Sequence, residues 1–244
     1  MPEGNDTVAV TPHPRAQRAQ SLIQQLALVA LLGVCLGFIM QAVVIIARIL
    51  GGGVFPGATL LADIVQTVTW SWLVCTGVTI GVAVGKGRKA LAGLVGLLFA
   101  PVALAAAKAA QRAVLAIIEA IEQPATVPLA TAGVVRAIEY GLLAYLLARL
   151  TERRVLRPRR YIATGLAIGL SFGGVLVWLT YRSMELVGKA PTTAQLLGLV
   201  ANEIGTPTGC AIIIYVAQLA SYSARVYSRH ATDAEPRGGM KRAG

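Results

Sequence analysis

Charged residues are scarce in this 244-residue chain, since Lys, Arg, Asp and Glu make up 14% of it, whereas soluble domains average about 25%. Hydrophobic residues make up 56%, and the mean hydropathy is +0.68. This composition argues against an ordinary soluble enzyme and predicts an integral membrane protein. The net charge of +11 does not indicate nucleic-acid binding, because the basic residues lie between apolar runs rather than on one face of a folded domain.

Histidine is nearly absent, and the only two residues, His13 and His230, lie in the polar terminal segments. The apolar part of the chain therefore has no histidine for a proton relay, a metal site or a Ser–His pair. Three cysteines, Cys35, Cys75 and Cys210, fall inside apolar runs, and their spacing matches no metal or redox motif. We therefore expect neither a metal nor a cofactor.

Six runs are apolar and long enough to cross a membrane, which takes about 20 residues per helix. The first run is too long for a signal-peptide core and ends at no obvious cleavage site, so we expect it to be retained. We predict a polar tail at 1–21, a transmembrane domain at 22–223 and a basic disordered tail at 224–244. The fold class is thus an all-α bundle of six spans, at about 22–48, 64–85, 90–118, 128–149, 161–182 and 194–223.

The basic residues predict an orientation for these spans. Sixteen of the 22 Lys and Arg residues lie in the two tails and in the segments after spans two and four, and only three lie on the opposite side. By the positive-inside rule both termini face the cytoplasm, and we expect a plasma membrane of bacterial type. The basic segments can also contact anionic lipid. The loop from Arg149 to Arg160 is short and has Tyr161 as its only aromatic neighbour, so nucleic acid is not an expected partner.

Glycines recur at every fourth position in spans two and five. Such stripes give a flat helix face that a second backbone can approach closely. Both stripes fall in the predicted cytoplasmic half, so we expect spans two and five to pack together there. The six residues are Gly77, Gly81, Gly85, Gly165, Gly169 and Gly173.

The middle of span six carries Glu203, Gly205, Pro207 and Gly209. Proline removes a backbone donor and clashes with the preceding turn. Irregular backbone at membrane depth is tolerated only where protein or a water-filled cavity covers it. The sequence therefore predicts a helix break at this point, next to an acidic side chain.

Three ionisable residues fall near the predicted midplane. At 1.5 Å per residue, Arg136, Glu139 and Glu203 lie roughly 12, 16 and 13 Å below the outer ends of their spans. Arg136 and Glu139 are three residues apart and can pair on one helix face. Charges at this depth are costly and usually mark function. The sequence leaves open whether the three residues form a packing clasp or a functional site, and whether Glu139 and Glu203 are close enough to act as a catalytic pair.

Three motifs follow one another between residues 133 and 209. They are Arg136-Ala-Ile-Glu139-Tyr140, then Gly165-Leu-Ala-Ile-Gly169-Leu-Ser-Phe172, and then Asn202-Glu203-Ile-Gly205-Thr206-Pro207-Thr208-Gly209. Their order resembles that of the PrsW-type glutamic intramembrane proteases. The resemblance implies a helical membrane fold and intramembrane hydrolysis.

The departures from that family concern the catalytic positions. One glutamate stands where the family has two, Val175-Leu176 replaces Glu-Asn, and the third motif lacks histidine. The resemblance therefore implies a relative without the protease active site, or one with changed chemistry.

We carry three functions forward. The sequence favours a non-enzymatic bundle that binds a membrane-protein partner or assembles as a homo-oligomer, because glycine stripes are present and complete catalytic motifs are not. The first alternative is a small-solute or ion permease that uses the broken sixth span and Glu203. The second alternative is a divergent intramembrane protease.

Overall fold

The computed structural model describes residues 14–85, 87–120 and 127–233, and within these ranges the chain forms helices and no strand. A π-helical turn at Gly169–Gly173 joins the helices on either side of it into one span-length stretch, Pro158–Leu186. The elements are α1 (Pro14–Leu50), α2 (Thr59–Val84), α3 (Lys89–Ile117), α4 (Leu129–Glu152), α5 (Pro158–Ile168), the π-helical turn Gly169–Gly173, α6 (Gly174–Leu186) and α7 (Thr193–Asp233).

The prediction of six spans is confirmed at the level of length and composition. Within the described ranges, six helices are long and apolar enough to cross a membrane, and the fifth is the continuous stretch Pro158–Leu186. Helices suit a bilayer because every backbone N–H and C=O group finds its partner within the segment. Many Leu, Ile and Val side chains on the outside of the bundle are exposed, as expected for surfaces that face lipid.

The chain is helical beyond both ends of the predicted transmembrane domain. The first helix begins at Pro14 rather than near residue 22, and α7 continues to Asp233. The disordered tail was predicted to begin at residue 224, and the structure is helical as far as Asp233. The remainder of both predicted tails, residues 1–13 and 234–244, lies outside the described residues.

Helices α2, α4 and α7 meet at the centre of the bundle. Their buried side chains include Val74, Leu143 and Ile214. Around them, α1 packs on α2 and α7, α3 packs on α2 and α4, and α5 packs on α7. We call the end of the bundle with loops 51–58 and 187–192 the cavity end, because a cavity described in the next subsection opens there. The opposite end, with loops 87–88 and 153–157, is the arginine end.

The glycine stripes pack, but not against each other. Gly81 of α2 packs against α3, where an added Cβ atom would stand 2.9 Å from the carbonyl oxygen of Ala92. Gly165 and Gly173 of the fifth crossing pack against α7. An added Cβ atom would stand 2.6 Å from the Cα of Thr208 at Gly165 and 2.9 Å from the Cβ of Glu203 at Gly173. The predicted contact between spans two and five is therefore wrong. Each stripe meets a different neighbour, because helix order in three dimensions decides which faces meet.

Helix α7 runs without interruption through Pro207, so the predicted helix break is wrong. Thr206 and Thr208 compensate locally, since their hydroxyl groups donate to the carbonyl oxygens of Asn202 and Ile204 at 2.9 and 2.8 Å. Such side-chain bonds and protein packing make proline tolerable in a membrane helix. Gly205 and Gly209 face Met40 and Leu36 of α1, and they therefore serve close packing rather than a break.

Replacing Gly173 tests the contact between the π-helical turn and α7. Gly173 and Gly174 both have right-handed helical backbone angles, so alanine suits either backbone. At Gly173 the new methyl group meets Glu203, whereas at Gly174 it meets nothing within 4 Å. We expect Gly173→Ala to lower the free energy of unfolding in detergent by about 1–3 kcal/mol and Gly174→Ala not to lower it. Equal losses in the two variants would contradict this packing.

Candidate functional site

The three predicted ionisable residues form one buried cluster. Arg136 donates from Nη1 to Glu139 Oε2 at 2.8 Å and from Nη2 to Glu203 Oε1 at 2.7 Å. Nη2 also lies 2.6 Å from Glu203 Oε2, but this contact lacks hydrogen-bond geometry. The residues are 7%, 0% and 5% exposed, respectively. One guanidinium group thus holds two carboxyl groups, one from its own helix and one from α7.

Aromatic rings of α2 and α4 cover this cluster. The Cζ atom of Arg136 lies 5.2 Å from the ring centroid of Trp70, within the range of a cation–π contact. The Trp70 ring in turn meets Tyr140 edge-to-face, with centroids 5.4 Å apart. Tyr140 is fully buried. These rings keep the core around the ions apolar, which strengthens the attraction between unlike charges.

A cavity of about 260 Å³ opens at the cavity end. Helices α1, α2, α6 and α7 line it. Apolar side chains such as Val44, Met184 and Leu199 form part of its wall. The polar side chains along its wall are Gln41, Arg48, Asp63, Gln66, Thr67, Thr180, Gln195 and Asn202. Gln41 is only 4% exposed, and its Nε2 has no hydrogen-bond partner among the described residues. The cavity therefore offers amide, hydroxyl and charged groups beside apolar side chains within the span-length helices.

A hydrogen-bonded network holds the wall of the cavity. Thr67 donates to Gln41 Oε1 at 3.0 Å, and Gln111 of α3 donates to Asp63 Oδ1 at 3.0 Å. Arg48 lies 3.8 Å from Asp63, and Lys108 donates to Gln111 at 2.9 Å. These bonds join α1, α2 and α3. They also give partners to the basic and acidic residues that lie in the turns of these helices nearest the cavity end.

Asn202 connects the cavity with the buried cluster. It lines the cavity, and its Nδ2 donates to Glu203 Oε1 at 3.4 Å. Thr206 lies one turn further along α7 and is fully buried. Glu203 is thus the member of the cluster nearest to the cavity, and Glu139 lies behind it.

The arginine end is closed by a second polar group. Tyr161 of α5 donates to Gln218 Oε1 of α7 at 2.7 Å, and Gln218 Nε2 donates to the hydroxyl group of Thr151 on α4. Tyr215 donates to the carbonyl oxygen of Leu156 at 3.2 Å. These contacts tie α4, α5 and α7 together on the side of the cluster opposite the cavity.

Sequence reasoning found the ions but missed their surroundings. Arg136, Glu139 and Glu203 come together. Glu139 and Glu203, whose proximity the sequence left open, are therefore close enough to bind the same guanidinium group. The sequence predicted site residues from their charge. Gln41 and Asn202 are uncharged polar residues in apolar spans, so their place in a cavity wall was not predicted.

The arrangement offers charge and hydrogen bonds rather than metal ligands. Within the ranges that the structure describes, there is no group of three or more His, Cys, Asp or Glu side chains that could hold a metal ion. Comparisons with known proteins found no matching family model, no similar curated protein and no similar solved structure. The function is therefore argued from this geometry alone, and the PrsW-type resemblance stays a prediction.

Removing the guanidinium group tests how strongly the cluster holds the bundle. In Arg136→Leu two carboxyl groups stay buried without their cation, and breaking a buried ion pair costs about 3–5 kcal/mol. We expect this loss in the free energy of unfolding measured with denaturant in detergent. Arg149→Leu on the exposed side of the same helix is the matched control and changes little. A loss in Arg136→Leu no larger than that of the control would contradict the cluster's structural role.

Proposed function

We propose that this integral membrane protein is a small-solute or ion permease, in which the cavity admits the solute and Glu203 is the deepest group on its path. The observation that carries the proposal is the continuity from cavity to ions. Asn202 both lines the cavity and contacts Glu203. A cavity with a few polar side chains next to a buried charged cluster is typical of a binding site for a polar or charged solute.

The same geometry weakens the assembly hypothesis. That hypothesis drew in part on the glycine stripes of spans two and five. In the bundle these glycines contact α3 and α7 of the same chain. They are therefore explained without a partner.

Hydrolysis receives less support than transport. Glu139 and Glu203 are close, as an acid–base pair requires, but both bind Arg136. A general base must reach the proton that it abstracts, and Glu139 is fully buried. A PrsW-like protease would have to release one carboxyl group from Arg136 first.

The proposal includes an orientation in the membrane. The arginine end carries Lys89, Arg149 and Arg153, and the positive-inside rule would place it in the cytoplasm. In that orientation the cavity opens to the outer side of a plasma membrane. The protein in this conformation would receive solute from outside, while the bonds of Gln218 keep the cytoplasmic side closed.

Thiol labelling at Asn202 tests whether water reaches the base of the cavity. Cys35, Cys75 and Cys210 are first replaced by alanine, and Asn202→Cys is then treated with a membrane-impermeant reagent from either side. We expect labelling from the cavity side only. Ala211→Cys on the same helix is the control, because Ala211 is fully buried in the core and stays unlabelled. Failure to label Asn202→Cys from either side would refute a water-filled path.

Transport itself is measured by currents from proteoliposomes on a solid-supported membrane. The probes are concentration jumps of H⁺, Na⁺, K⁺ and a set of zwitterionic amino acids. We expect at least one probe to evoke a current that Glu203→Gln abolishes, because the substitution removes the charge at the end of the path. Glu185→Gln, the same chemical change at an exposed residue paired with Arg182, should keep the current. A current that survives Glu203→Gln would argue against the proposed path.

A further inference from the structure

The buried cluster does not balance its own charge. If all three side chains are ionised, Arg136 contributes one positive charge and Glu139 and Glu203 contribute two negative charges. The net charge of −1 would then lie in a core where the three residues are at most 7% exposed. An uncompensated buried charge costs several kcal/mol, so such groups are paired or neutralised.

The ion pairs of Glu139 and Glu203 are both made with Arg136. Tyr140 of α4 lies beside Arg136 and Glu139, and Cys75 of α2 and Cys210 of α7 lie beside Tyr140. None of these three side chains is a cation. Arg48 is the cation of α1 on the cavity side. It packs at Gly198, about 7.5 Å along α7 from Glu203, and it already faces Asp63. Lys108 of α3 bonds to Gln66 and Gln111.

Each carboxyl group keeps one oxygen without a hydrogen bond. These oxygens are Glu139 Oε1 and Glu203 Oε2, the second of which lies 2.6 Å from Arg136 Nη2 without hydrogen-bond geometry. The other oxygen of each group accepts from Arg136. Because both groups bind the two terminal nitrogens of one guanidinium group, they lie close together. Two carboxyl groups that share a site do not both ionise readily. One added proton brings the cluster to neutrality and needs an acceptor of this kind.

We infer that the Arg136–Glu139–Glu203 cluster is a proton-binding site that holds one proton shared by its two carboxyl groups. The proton exchanges with the cavity through Glu203, since Asn202 links that residue to the cavity wall. On release the O–H bond of Glu203 breaks, the proton passes to water in the cavity, and the carboxylate keeps the electron pair. That this proton drives or accompanies solute movement rests on the proposed permease function, whereas the presence of the proton does not.

Infrared spectroscopy of the full-length protein in lipid vesicles tests this inference at neutral pH. The C=O stretch of a protonated carboxyl group is separate from the bands of a carboxylate and shifts when the proton is exchanged for deuterium. We expect one such band in the unmodified protein. We further expect Glu139→Gln and Glu203→Gln each to remove it, because either change alone leaves one carboxylate paired with Arg136 and a neutral cluster.

Asp63→Asn is the control, because Asp63 is the carboxyl group of the cavity wall and lies outside the cluster. This variant should keep the band. Loss of the band in both glutamate variants, with retention in the control, supports a shared proton. The absence of the band in the unmodified protein overturns the inference, and so does its persistence in either glutamate variant. The measurement on the unmodified protein is decisive even where a variant fails to fold.

The rate of deuterium exchange tests the link to the cavity. We expect the band to shift promptly in D₂O and to shift more slowly in Asn202→Leu, which replaces the polar contact by an apolar one. An unchanged rate would overturn the route through Asn202. These readouts do not depend on transport. A protein with the band and no flux would refute the permease and keep the proton site, and a protein with flux and no band would refute the proton site alone.

Discussion

The structure depends on holding one guanidinium group and two carboxyl groups together in the buried core of the bundle. Charges in such a medium are costly to separate and costly to leave unpaired. Arg136 therefore fixes α7 against α4 through Glu203, while Trp70 places α2 over the same ions. The cluster sets the register of the three central helices. That register in turn brings Asn202 to the base of the cavity.

Small residues make this register sterically possible. Glu203 can approach α4 only if α7 lies deep in the bundle, and glycines clear its path on both sides. Gly205 and Gly209 admit α1, while Gly165 and Gly173 admit the backbone of α7 to the fifth crossing. Membrane helices in lipid have no hydrophobic driving force to associate, so close packing of their backbones drives their association instead. The glycines and the ions thus serve one arrangement, in which packing positions the charges and the charges fix the packing.

The sequence predicts those features that depend on distance along the chain. Six spans and the depth of Arg136, Glu139 and Glu203 follow from counting apolar residues. The partners of helix faces do not, since Gly81 meets Ala92 and Gly165 meets Thr208 only after the helices assemble. The continuity of α7 was missed for a similar reason. Pro207 disfavours a helix locally, and the hydroxyl groups of Thr206 and Thr208 together with tight packing outweigh that preference.

The bonds at the arginine end and those at the centre of the bundle differ in strength. At the arginine end, Tyr161, Thr151 and Gln218 make neutral hydrogen bonds, and such bonds between membrane helices average about 0.6 kcal/mol each. At the centre, separating Arg136 from a carboxyl group costs several times more. A permease of this design would therefore open toward the arginine end by moving α5 and its contacts on α7, with the cluster intact. The cluster would keep α4 and α7 fixed to each other during this movement. Gain or loss of its proton would change the net charge of the cluster next to the cavity.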